Sequence, residues 1–132
     1  MAEFLFRKMA KEENLDVAVK SAATSTEEIG NPVHPGTRKK LSEFNISVSG
    51  KYAELFMKSD YKKYDYIIVM DSNNLRNLFS IIGSDTDKKV FKLLDFADGG
   101  DIRDPWYTGN FDETYDDISK GLKGLIKHLK VF

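Results

Sequence analysis

Asp104-Pro105-Trp106-Tyr107-Thr108-Gly109 is the stretch of this 132-residue chain whose residue types best suit chemistry. Asp-Pro followed by Gly is, taken alone, a turn signal, because proline fixes φ and glycine accepts the left-handed backbone. The same residues also set a carboxylic acid beside two large aromatics on a backbone stiffened by proline. Aromatic walls lower the local dielectric and raise a carboxyl pKa, which suits a general acid. Their flat faces suit a planar substrate group. Both readings stand on these residues alone.

The other candidates have simpler roles. His34 lies between Pro32 and Pro35 with no second ligand or nucleophile spaced to match it, which fits a surface or capping histidine. His128 falls in the last turn of a helical pattern, where a cation is mildly stabilising. Lys58, Lys62 and Lys63 read as a solvated face. Asp112, Glu113, Asp116 and Asp117 fall in the first turns of a helix, where acids complement the macrodipole, and a hard cation is the alternative reading there. The chain has no G-x-G-x-x-G, Walker loop or defensible Ser/His/Asp spacing.

Composition removes whole classes of function. Lys+Arg number 20 against 21 Asp+Glu, so there is no basic footprint for a nucleic-acid partner. The aliphatic run Tyr66–Met70 is far too short to cross a bilayer, and no secretory leader pattern opens the chain. The cysteine count is zero, which eliminates disulfides, zinc–thiolate sites and a cysteine nucleophile. Two histidines are too few for a histidine-rich metal site. The expectation is a single cytoplasmic domain over residues 1–132, with no metal or cofactor.

The elements that must position the Asp-Pro segment alternate between helical and strand periods. Ala2, Leu5, Phe6 and Met9 at i, i+3, i+4 and i+7 predict a helix that opens the chain. Val17–Ser21, short and β-branched, predicts a strand. Asn31–Gly36, with two prolines and a glycine, predicts a loop, and Thr37–Phe44 a helix with Leu41 and Phe44 inward. Tyr66–Met70 is apolar on both faces, as in a parallel strand covered on both sides. Asp71 and Ser72 supply caps for a helix carrying Leu75, Leu78, Phe79 and Ile82, closed by Gly83. Val90–Leu94 predicts a buried strand and Asp95–Asn110 a polar loop. Phe111, Tyr115, Ile118, Leu122, Leu125 and Leu129 form one long helical stripe. This order argues a three-layer α/β/α domain with a mainly parallel sheet. Its chemistry belongs beyond the carboxyl ends of the strands, in the loops after Ser21, Met70 and Leu94.

An ordered set of segments resembles the low-molecular-weight protein tyrosine phosphatases. The set is Met1-Ala2-Glu3; Ser21-Ala22-Ala23-Thr24-Ser25 with Ile29-Gly30-Asn31-Pro32; Asp65–Asp71 with Ser72-Asn73-Asn74-Leu75; Asp104-Pro105-Trp106-Tyr107; and Phe111–Tyr115. That resemblance implies hydrolysis of phosphate monoesters through a cysteinyl-phosphate, on a phosphorylated protein or small phosphate ester, without a cofactor. It makes Asp104 the general acid, and Trp106 and Tyr107 aromatic walls of the substrate cleft. In the family the nucleophile lies in a C-x5-R-(S/T)-P loop between the first strand and first helix, immediately before the Met-Ala-Glu seen here. Backbone N–H groups, the arginine and the helix N-terminus stabilise the thiolate and the transition state there.

Neither that strand nor its loop, cysteine and arginine is present in these residues, so the chain as given is expected to be inactive. A non-catalytic phospho-ligand binding or regulatory module is the alternative. The absent strand would be central, and burying its aliphatic side chains is worth about 8–10 kcal/mol. Its loss would leave strand edges that pair with each other, with a longer gene product's own strand, or with another chain as an oligomer. Glu27 stands near a position where many members carry an aromatic. It reads as a solvated loop carboxylate, or as one favouring a cationic group, with protein phosphoarginine as the alternative substrate class.

Overall fold

The strand Tyr66–Met70 was expected to be covered on both faces, and it divides two apolar cores. In the computed structural model, which describes residues 1–24, 35–43, 54–103 and 108–130, Ile67–Val69 forms β1 and Val90–Lys92 forms β2. They pair in parallel, with Ile67 opposite Val90, Ile68 opposite Phe91 and Val69 opposite Lys92. Side chains alternate across a strand. Ile67 and Val69 therefore pack with Phe56, Tyr61, Leu78 and Ile82. Ile68 and Met70 face the other way, against the cluster of Leu5, Phe6, Leu93, Ile118, Leu122 and Leu125. Helices on both faces make the three-layer α/β arrangement.

The helices follow their patterns closely. Ala2–Glu12 is α1, with Leu5, Phe6 and Ala10 buried. Pro35–Ser42 is α2, anchored by Leu41 at 0% exposure. It starts earlier than Thr37 because proline tolerates the first helical turn, where its missing N–H has no partner to lose; Phe44 lies outside the described residues. Ser72–Ile82 is α3. The Asp71 carboxylate accepts the Asn74 N–H at 2.7 Å, and Gly83 closes the helix at φ 82°. Phe111–Lys130 is α4.

Gly121 and Gly124 let α4 approach a 3-10 helix at Leu93–Phe96. A Cβ on Gly121 would sit 2.6 Å from Leu93 Cγ. One on Gly124 would sit 2.8 Å from the Phe96 carbonyl carbon and overlap its oxygen.

Two strand expectations need correction. Val17–Ser21 is irregular chain, and its neighbourhood shows one isolated parallel bridge, Ala23 with Leu55. The reason lies in α1, whose side chains bind this backbone: Arg7 donates to the Val19 carbonyl at 2.9 Å, and Glu3 accepts the Ser21 N–H at 2.6 Å. The strand Val90–Leu94 stops at Lys92, because the Asp95 carboxylate accepts the Lys92 N–H at 2.9 Å and opens the 3-10 helix over Leu93–Phe96. That helix also takes Asp95 and Phe96 out of the expected loop. His128 falls in the last turn of the C-terminal helix as expected and is half-buried there, its ring 6.0 Å from Tyr66 and 5.3 Å from Phe96.

A polar knot ties the chain before β2 to the second core. Another 3-10 helix, Lys58–Lys63, carries the buried Tyr61, whose hydroxyl donates to Asp85 Oδ1 at 2.5 Å. Asp85 also accepts the Lys89 and Val90 N–H groups at 3.0 and 3.1 Å, fixing the start of β2. Partial burial pushes the Asp85 carboxyl up, but the Tyr61 hydroxyl and the two amides outweigh it and hold the group below its ordinary value. A depressed folded pKa contributes stability above the unfolded value and loses it as pH falls through the folded one. Thermal unfolding followed across acidic pH should therefore show a loss of stability below about pH 4 that is shallower in Asp85→Ala. At neutral pH, Asp85→Ala should cost about 1–3 kcal/mol, since two strand-start amides lose their acceptor. An unchanged urea midpoint would contradict this role.

Candidate active site

Asp104, Trp106 and Tyr107 lie outside the described residues, as do His34 and Glu27. Their surroundings are defined by the chain on either side of the Asp-Pro segment. Ile102, only 3% exposed, donates its N–H to the Met70 carbonyl at 2.9 Å, at the carboxyl end of β1. Asp101 meets the Lys92 ammonium at 2.8 Å, at the carboxyl end of β2. The buried Thr114 hydroxyl lies 3.1 Å from the Arg103 carbonyl and 3.2 Å from that of Asn110. Beyond the segment, Asn110 caps α4, its Oδ1 accepting the Glu113 N–H at 3.0 Å. Residues 101–103 thus stand at the carboxyl ends of two parallel strands, where α/β sheets place their sites.

A third element reaches the same end of the sheet. Ser72, in the first turn of α3, accepts from Lys92 Nζ at 2.8 Å and donates to Asp101 Oδ1 at 3.1 Å. The Lys92 and Ser72 contacts hold the Asp101 carboxyl below its ordinary value. On the α1 side, Glu3 is 6% exposed, its Oε1 accepting the Ser21 hydroxyl at 2.8 Å and its Oε2 lying 3.2 Å from Arg7. This clamp fixes the chain leading to Ala22, Ala23 and Thr24. Sequence reasoning missed Glu3, Ser72, Lys92 and Asp101 as organising residues. The Asn110-Phe111-Asp112-Glu113 capping pattern was present to be read.

Two of the remaining charged candidates sit in ion pairs on the surface. Asp112 pairs with Lys40 at 2.6 Å, and Lys63 pairs with Asp60 at 3.1 Å; Lys58 and Lys62 are exposed. Among the described residues no helix is long and apolar enough to cross a membrane.

The family model described as low molecular weight phosphotyrosine protein phosphatase matches residues 1–131. The chain belongs to this family. It is 37% identical to the low molecular weight protein-tyrosine-phosphatase PtpA of Staphylococcus aureus, covering 98% of this chain and 84% of that protein. The crystal structure of YfkJ from Bacillus subtilis superposes with a TM-score of 0.92 at 35% identity, over 98% of this chain and 84% of that one. The low molecular weight protein tyrosine phosphatase SP-PTP from Streptococcus pyogenes gives 0.84 at 33% identity, over 97% and 82%. In the chain, Asp104-Pro105 falls between two anchored flanks, residues 101–103 and the start of α4. Its 132 residues contain no cysteine.

Proposed function

We propose that these 132 residues carry the acid half of a phosphate-monoester hydrolase site, with Asp104 as general acid and Trp106 and Tyr107 as walls for an aryl phosphate. The lack of any thiol in a chain of this family carries the reading that the chain is inactive as given. A carboxylic acid acting as proton donor can protonate the leaving oxygen and then activate water to free the enzyme, but in that role it does not supply the nucleophile that attacks phosphorus. Phosphotyrosine on a protein is the substrate class that the relatives' names support. Phosphoarginine is the alternative that Glu27 favours.

The test is direct. Purified 132-residue protein, incubated with an aryl phosphate, should release no phosphate above the buffer rate. Turnover that disappears in Asp104→Asn would overturn the reading. The same lack of a thiol favours a second role, a non-catalytic phospho-ligand binding module. Saturable binding of a phosphotyrosine peptide, absent with the unphosphorylated peptide, would select it.

A further inference from the structure

Lys92, Ser72 and Asp101 form a closed triangle, of which only Ser72 lies in a segment that carries the family resemblance. The Lys92 ammonium lies 2.8 Å from both the Ser72 hydroxyl and the Asp101 carboxylate, and the hydroxyl donates to the same carboxylate oxygen at 3.1 Å. Each corner comes from a different element. Lys92 is the last residue of β2, Ser72 the first of α3, and Asp101 the third residue before Asp104. The next residue, Ile102, is buried and bonded to the Met70 carbonyl.

We propose that Lys92 and Ser72 are positioning residues that act through Asp101 to hold the base of the Asp-Pro segment at the carboxyl end of the sheet. This rests on Asp104 being the general acid. A general acid works only when it lies within hydrogen-bond reach of the leaving oxygen, so the backbone leading to it needs a fixed origin. Ile102 supplies one tie, through its amide. The triangle supplies a second tie one residue earlier, so that residues 101 and 102 are fixed to β2 and β1 respectively. The depressed carboxyl pKa of Asp101, set by Lys92 and then Ser72, accords with a carboxylate kept charged in this tie.

Magnitude separates positioning from plain stabilisation. Asp101 is 41% and Lys92 23% exposed at the side chain, and exposed ion pairs add little to global stability. Loss of the triangle should therefore leave the fold standing and loosen the segment. In Lys92→Met and Asp101→Asn, hydrogen exchange at the Ile102 amide should rise about tenfold while the melting temperature stays within about 5 °C. Trp106 is the chain's single tryptophan, so its emission reports on the segment alone. The emission should shift in both variants and return to the wild-type spectrum in Lys92→Arg.

Neither readout needs turnover, so these results stand or fall separately from the chemistry assigned to Asp104. Unchanged Ile102 exchange and unchanged Trp106 emission in Lys92→Met would overturn the proposal. If Lys92→Met fails to fold, Ser72→Ala, which deletes only the bridging hydroxyl, carries the test. Faster Ile102 exchange with a shifted Trp106 spectrum in Ser72→Ala supports the tie, and wild-type behaviour overturns it.

Discussion

Gly124→Ala should destabilise the protein by about 2–4 kcal/mol, although alanine is the better helix former by about 1 kcal/mol. The expected sign comes from the neighbour that a methyl group would meet. A Cβ at 124 overlaps the carbonyl oxygen of Phe96 and lies 2.8 Å from its carbonyl carbon. A side chain could rotate away, but a backbone carbonyl in a 3-10 helix cannot. α4 would have to lift from Leu93–Phe96, which carries Leu93 at 0% and Leu94 at 8% exposure into the larger core. Separating that contact exposes apolar area and opens a gap, and both cost stability. Urea unfolding of Gly124→Ala beside the exposed neighbour Lys123→Ala makes the comparison. The Lys123 variant should stay within about 0.5 kcal/mol of the parent. A neutral or stabilised Gly124→Ala would mean that helix propensity governs this interface and the close approach does not.

The helices were legible because their signals are local. Asp71 and Gly83 bracket α3 as cap chemistry requires, and the stripe from Ile118 to Leu125 is buried as its spacing implies. The two-faced apolar run at Ile67–Val69 also announced its parallel, doubly covered position. Val17–Ser21 failed as a strand because a ladder needs a partner, and no property of five residues reveals whether one is there. Glu3 and Arg7, more than ten residues earlier, bind its backbone groups instead. Nothing local to Gly121 and Gly124 discloses the Leu93 and Phe96 atoms they pass. The candidate site divides in the same way. Asp104 was marked by motif chemistry and family resemblance. The triangle of Lys92, Ser72 and Asp101 joins positions up to 29 apart and appears only in three dimensions.

Joining to Met1 a segment that carries the family's strand and its C-x5-R-(S/T)-P loop should give a chain that turns over phosphate monoesters. The reasoning is chemical. In the cysteinyl-phosphate route that the family resemblance implies, in-line attack on phosphorus is made by a thiolate held by N–H donors and a guanidinium, and these 132 residues contain no thiol. The acid is a separate requirement, because an aryloxide of high pKa leaves slowly unless it is protonated as the P–O bond breaks. The two halves should therefore be separable in kinetics. The extended chain should turn over an aryl phosphate with a poor leaving group, and Asp104→Asn in that chain should lower kcat by about 10²–10³-fold. The effect should shrink as the leaving group improves, since a good leaving group needs less protonation. The decisive measurement is kcat of the extended chain with and without Asp104→Asn on the poor leaving group. A hundredfold or greater loss is expected, and equal kcat values would contradict the assignment of Asp104 as the general acid.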